Sequence, residues 1–215
     1  RNAFSRPLYA EPGAIRKRPS LRPLTPADVK SCTVVERAFP EHEQCSEEKF
    51  IYRLNQTPEL CLGLFIWEEG KEQLIGHIIG MRVPTKEITE GSMHMPENWR
   101  ERPSDQAYIV DGQLIGNDPH GKTIAIHSVV ISPQYQGNGV GKALVKAYIE
   151  FIKETQVDTD GIVLIAHDYL IKFYEGAGFV NHGLSACRFA GETWYDLVSI
   201  GRGVAFERIL ILGFA

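Results

Sequence analysis

Gln136-Gly137-Asn138-Gly139-Val140-Gly141-Lys142 lies between an apolar, β-rich stretch, Thr123–Ile131, and a helical one, Lys142–Lys153. Glycines lack a Cβ, so successive backbone N–H groups can crowd inward. The helix that follows adds orphan donors and the positive end of its dipole. Together these features make a cradle for a phosphate or pyrophosphate. The loop is not a Walker motif, because Gly141-Lys142 is followed by Ala143 rather than Ser or Thr. It is also a poor dinucleotide fingerprint, since the strand ends several residues before the glycines. From these residues alone, a glycine-rich turn without a ligand is the other reading.

Working outward, Pro133 ends the strand, and Leu144, Tyr148, Phe151 and Ile152 share one side of the helix. Gly161–Ala166 is uniformly apolar, as a strand buried on both faces requires. Tyr169–Ala177 reads as a short helix ended by Gly178. Strands near Phe179–Phe189 and Thr193–Ile200 flank the turn Ala190-Gly191-Glu192. Upstream, a strand near Ser20–Leu24 leads to Thr25-Pro26-Ala27-Asp28, a capping box that opens a helix carrying Val29, Cys32 and Val35. Glu41–Cys45 is polar and loop-like, and Ser46 opens a second helix through Leu54. Leu62–Trp67 and Gln73–Met81 are strands joined at Glu68-Glu69-Gly70-Lys71. Val83–Lys122 is irregular and reads as a loop insertion, with a strand or tether at Ala107–Ile109.

This order predicts a single α/β domain over residues 21–200, with the insertion at 83–122. Its sheet is mixed and mostly antiparallel, splayed at a central parallel pair and flanked by helices. Residues 1–20 form an irregular lead-in, and 201–215 a C-terminal extension with the apolar run Ile209–Phe214. A doubly wound nucleotide fold would need parallel strand–helix units that the hairpin-like segments do not offer.

The 215 residues carry 23 Lys plus Arg against 27 Asp plus Glu, a net charge of −4. That lacks the basic excess of a duplex-binding protein, so nucleic acid is not an expected partner. Four cysteines, at positions 32, 45, 61 and 187, form no CxxC pair, which points to a reduced, cytoplasmic protein. No run reaches the ~20 apolar residues of a membrane span, and a monomer is favoured. No HExxH or acidic calcium loop appears, so no metal is expected. His77, Met81 and Met93-His94-Met95 read as packing or solvent-facing. Ser128 has no base–acid arrangement beyond adjacent His127, which argues against hydrolase chemistry.

Gln136, Gly139 and Gly141 match [Gln/Arg]-x-x-Gly-x-[Gly/Ala], and the chain thereby resembles the GNAT N-acetyltransferase superfamily. The element order matches as well. Within the superfamily the chain is most similar to the arylalkylamine (serotonin) N-acetyltransferases and their fungal relatives. The stretches that carry this are Ala38-Phe39-Pro40 through Ser46, Thr57–Phe65, Ile126–Ile131 and Phe173–Phe179. The resemblance implies acetyl-CoA as co-substrate and no metal. Pantetheine would lie between Thr123–Ile131 and Gly161–Ala166, along Val129, Val130 and Ile131. The pyrophosphate would sit on Gln136, Gly137, Asn138, Gly139, Val140, Gly141 and Lys142. A backbone N–H near Val129 would stabilise the thioester oxygen as an amine attacks directly, so no cysteine nucleophile is needed.

The same resemblance assigns roles to side chains. His127 is the candidate general base, because imidazole titrates near neutrality at ~6.5. The animal enzymes carry a second histidine two residues earlier, where this chain has Ala125. Tyr174 would contact the coenzyme and protonate the departing thiolate, its phenol holding its proton at neutral pH. His167 occupies a position that is acidic in the animal enzymes, and either helps bind the coenzyme or caps a helix. Phe39, Pro40 and Trp194 would line the amine pocket, with Glu41 and Glu43 attracting the ammonium. The 83–122 insertion would reshape or cover the pocket mouth. The expected acceptor is a small arylalkylamine; a polyamine, a protein lysine, or no acceptor at all in a CoA-binding module are the alternatives.

Overall fold

A computed structural model describes residues 19–68 and 70–200. The lead-in expected over residues 1–20 lies outside the described residues except for Pro19 and Ser20. The 201–215 extension, with Ile209–Phe214, lies outside them entirely.

Strand β1 (Pro19–Pro23) leads into the Thr25 cap, where the backbone N–H of Thr25 donates to Asp28 Oδ2 at 2.8 Å. Helix α1 (Val29–Glu36) follows, and then a 3-10 turn over Glu41–Glu43. Ser46 caps α2 (Glu47–Gln56) by accepting from the Lys49 N–H at 3.2 Å. The β2 (Leu62–Glu68) and β3 (Lys71–Val83) hairpin turns at Gly70, whose φ of 77° suits a residue without a Cβ.

The segment after Val83 is more regular than a loop. It holds α3 (Glu90–Met93) and a small hairpin of β4 (Ile109–Val110) and β5 (Gln113–Leu114), so the strand expected at Ala107–Ile109 lies slightly further on. Ile88, Met93 and Leu114 are buried in a cluster with Val83, Ala125 and Cys187, and α2 clamps the segment from outside. Tyr52 accepts from the Asn117 N–H at 3.0 Å, and Arg53 donates to the Met93 carbonyl at 3.2 Å.

Then come β6 (Thr123–Ile131), α4 (Val140–Thr155), β7 (Gly161–Ala166), α5 (Ile171–Glu175), β8 (Val180–Leu184) and β9 (Tyr195–Ile200). The first strand of the last hairpin stops at Leu184 rather than Phe189. The chain bends at Ala186, and a 3-10 turn over Phe189–Gly191 makes the connection.

Seven strands form one sheet in the order β1-β2-β3-β6-β7-β9-β8, and its β6–β7 pair is parallel. Ile124, Ile126 and Ile131 pack under α4 against Leu144, Val145 and Tyr148. Val130 faces the other layer, with Val35 of α1 and Phe50 and Leu54 of α2. Both sheet faces are therefore covered, which accounts for the uniformly apolar β7. No helix of the described residues is long and apolar enough to cross a membrane.

Candidate active site

The site begins where the parallel pair separates. β6 and β7 are paired only from Thr123↔Gly161 to Ile126↔Leu164. Beyond that point β6 keeps β3 as its neighbour, while β7 continues against β9. A wedge opens between His127–Ile131 and the end of β7, and among the described residues one edge of β6 is left without a strand partner.

The β3–β6 register also slips at the mouth of the wedge. Gly80 pairs with Ile126 and Ile79 with Ser128, so His127 is an extra residue opposite no partner. A bulge of this kind re-aims side chains locally. It resets the alternation so that Val129 lines the cavity while Val130 and Ile131 are core residues. Of these three, the only contribution Val130 and Ile131 can offer a ligand is backbone.

At the end of β6 the Gln136 side chain donates to the Ile131 carbonyl at 2.7 Å and ties the glycine loop to the strand. Gly137 and Gly139 have φ of 78° and 77°, and a Cβ at either would meet no atom within 4 Å. The glycines are thus required by backbone conformation, and the space above them is open. Gly139 is the N-cap of the sixteen-residue α4, whose first-turn N–H groups have no intrahelical acceptors. Lys142 reaches across to Gly176 at the end of α5, where a Cβ would come within 2.6 Å of its Nζ. Loop, helix end and unpaired strand edge form a continuous surface that fits a pyrophosphate joined to an extended amide-bearing arm.

A cavity of about 190 Å³ sits in the wedge and brings together Phe39, Pro40, His127, Val129, Tyr174 and Trp194. Tyr174 is 7% exposed and packed edge-on by Phe173 and Phe179. Burial, with a smaller contribution from Tyr169, pushes its phenol well up, so it keeps its proton at neutral pH. His127 Nδ1 lies 2.9 Å from Met93 Sδ. A thioether only accepts, so Nδ1 carries the proton and Nε2 presents a lone pair. Nε2 is buried and has no partner among the described residues. Burial, then Arg53 and Lys49, push this histidine well below its ordinary range. Met93, read from sequence as packing or solvent-facing, is packed in the cluster with Ile88 and Leu114 and is also the contribution of the insertion to the cavity wall. A methionine in an irregular segment offers no pattern that would have revealed it.

The wall of the cavity on the α1 side rests on a polar network not anticipated from sequence. His77 Nε2 lies 3.0 Å from Glu36 Oε2 and 3.2 Å from Ser128 Oγ, and Ser128 donates to the same carboxylate oxygen at 2.9 Å. The other oxygen of Glu36 accepts from the Cys45 N–H at 3.1 Å, which pins the Phe39–Cys45 loop to the sheet. His77, read from sequence as packing or solvent-facing, is packed edge-on against Phe50 and fully buried, and it carries this network besides. The trio is not a hydrolase relay, because acid and serine share one imidazole nitrogen while Nδ1 has no partner among the described residues.

Glu43 lines the cavity, whereas Glu41 is exposed and stands off it. His167 makes no side-chain cap. It bonds Glu43 Oε1 through Nε2 at 3.2 Å and stacks on Trp194, with ring centroids 4.1 Å apart. The Trp194 indole N–H is spent on the Phe189 carbonyl at 2.9 Å, leaving its face to the cavity. All four cysteines are free and buried, and burial raises each thiol, Cys61 to about 12, so none presents a thiolate at neutral pH.

Comparison with known proteins agrees with this architecture. The chain is 27% identical over 191 residues to serotonin N-acetyltransferase of Mesocricetus auratus, covering 87% of this chain and 80% of that protein. It is 34% identical over 68 residues to the chloroplastic GCN5-related N-acetyltransferase 2 of Arabidopsis thaliana, a match spanning 32% of this chain and about a quarter (26%) of the plant protein. Among solved structures, the loading GNATL domain of CurA from Lyngbya majuscula superposes with a TM-score of 0.64 at 13% identity, over 85% of this chain and 98% of that one. A chain of the NatC complex bound to Gag peptide and CoA gives 0.58 at 20% identity, over 85% and 98%. At these identities the structures speak for the fold alone. The model of the acetyltransferase (GNAT) family matches residues 31–179, and the chain belongs to that family.

Proposed function

We propose that this protein transfers the acetyl group of acetyl-CoA to the primary amine of a small arylalkylamine of the tryptamine, serotonin or phenethylamine type. The observation that carries the reading is the single cavity joining the open edge of β6, Tyr174 and a wall of Phe39, Phe189 and Trp194. Its volume of about 190 Å³ falls below the ~300–1,000 Å³ of pockets for drug-sized ligands. That size suits a compact aromatic amine. Glu43, with a side chain 10% exposed, supplies the carboxylate facing its ammonium. The likeness to a serotonin N-acetyltransferase over 87% of the chain supports the same class.

In this reading the glycine loop and α4 N-terminus hold the pyrophosphate, with Lys142 beside them. The β6 edge along Val129–Ile131 holds the amides of the arm. The coenzyme supplies an activated thioester, and the chain orients it. The neutral Nε2 of His127 accepts a hydrogen bond from the amine, and a backbone N–H near Val129 faces the thioester oxygen as charge builds there. Tyr174 gives its proton to the sulfur that leaves. Calorimetric titration with acetyl-CoA, followed by thiol release with tryptamine, tests the proposal. Coenzyme binding with turnover is expected, while binding without turnover on any amine would leave only a CoA-binding module.

A further inference from the structure

Acetylation leaves one proton to be disposed of. A primary ammonium nitrogen gives up two protons on becoming an amide. One replaces the proton that Tyr174 gives to the coenzyme sulfur as the C–S bond breaks and the C–N bond forms, and the other has to reach bulk water. His127 is poorly placed to carry it away. Its Nδ1 abuts the Met93 thioether, which cannot pass a proton on, and its Nε2 has no onward partner among the described residues.

The opposite wall is built differently. His167 Nε2 lies 3.2 Å from Glu43 Oε1, and that oxygen lies 3.6 Å from His42 Nε2, which in turn lies 3.3 Å from Glu192 Oε1. Side-chain exposure is 17% and 10% at His167 and Glu43 but 54% and 45% at His42 and Glu192. Imidazole and carboxylate thus alternate from the cavity wall out to water. The His167 ring is held between Trp194 and Tyr169, with centroids 4.1 Å and 5.3 Å away. Among the described residues nothing bonds its Nδ1, and the ring lines the cavity.

We propose that His167, Glu43 and His42 form the proton exit for the acetyl transfer. His167 Nδ1 takes the ammonium proton, the Glu43 carboxylate stabilises the imidazolium, and the Nε2 proton passes to Glu43. From there it reaches water either directly or through His42, which must close its 3.6 Å gap to Glu43 to accept it. The ring recovers its starting tautomer by exchange with solvent once the product has left. The groups facing His167 are Glu43 from the loop after α1 and Tyr169 from its own segment. Glu36 of α1, His127 of β6 and Tyr174 of α5 line the same cavity.

This inference rests on the acetyltransferase reading, and pH–rate profiles test the two separately. His167→Gln keeps a donor for Glu43 but cannot take a proton. It should lower kcat/KM about 30-fold at pH 7, with the loss shrinking to about threefold as pH approaches the amine's own pKa. Imidazole in the buffer should restore part of the rate of His167→Ala. Glu43→Gln should share the pH-dependent loss, and His42→Gln should cost about threefold, because water can replace an exposed station. Acetyl-CoA affinity and circular dichroism, unchanged in all four variants, would exclude misfolding. A loss in His167→Gln that is uniform across pH, or no loss, with no imidazole rescue, overturns the exit route. Wild-type protein that binds acetyl-CoA but acetylates no amine at any pH overturns the acetyl-transfer reading and the route with it.

Discussion

The two halves of the cavity are made in different ways. The side proposed for the coenzyme is one continuous stretch of chain, β6, the glycine loop and the start of α4, and most of what it offers a ligand is backbone. The acceptor side is assembled from side chains of separate segments: Glu36, the Phe39–Glu43 loop, Met93, His167 and Trp194. Backbone donors impose residue types that permit a conformation, so they leave a local motif. Side chains gathered by the fold leave none. The first half should therefore tolerate changes in the second, and substitutions can break that claim.

The largest expected effect lies under the acceptor loop. Glu36→Ala leaves His77 and Ser128 buried without their shared partner and frees the Cys45 N–H. Removing one member of such a buried pair costs about 3–5 kcal/mol, measurable by urea unfolding. A loss under 1 kcal/mol would mean that the network does not anchor the loop.

Tyr174→Phe comes next and probes the seam between the halves. It keeps the ring contacts with Phe173 and Phe179 and removes the proton donor. A fall in kcat of about 100-fold is expected, with acetyl-CoA affinity nearly intact. Equal losses in affinity and rate would assign Tyr174 to packing alone.

Gly139→Val sharpens the comparison from the coenzyme side. A β-branched residue at φ 77° is strained whatever the space around it. Acetyl-CoA affinity should weaken about tenfold, ~1.4 kcal/mol, while the KM of the amine holds. Parallel losses in both would show that the halves are not separable.

The smallest effect concerns pH. The folded-state pKa of His127 is depressed below its unfolded value of ~6.5. Its contribution to stability is therefore present above that value and is lost as pH falls, because the unfolded chain takes up a proton that the native chain refuses. His127→Gln should flatten the acid limb of the stability–pH curve by at most about 1.4 kcal/mol per pH unit. Superimposable acid limbs for the two proteins would contradict the burial argument.

The same division decides what could be read from the sequence. Thr123–Ile131 and Gly161–Ala166 were legible to the residue, because a buried strand next to turn residues leaves a strong pattern. The bulge at His127 was not, since a register slip is a property of two strands and neither sequence records it. The role of Glu36 was hidden because it occupies the last turn of α1, where an acid ordinarily faces water. His167 read as a coenzyme contact or a helix cap, and only the packing of the last hairpin shows its ring stacked on Trp194 and bonded to Glu43. The irregular composition of 83–122 concealed α3, a single turn closed by the Thr89–Ser92 capping box and tied to α2 where Arg53 donates to the Met93 carbonyl.

The most direct test of the account is a comparison of kcat/KM for tryptamine, spermidine and a lysine-bearing peptide at fixed acetyl-CoA. The aromatic wall and small cavity predict tryptamine ahead of both by about tenfold or more, ~1.4 kcal/mol in transition-state discrimination. A peptide or polyamine preferred by the same margin would contradict the small-arylalkylamine assignment.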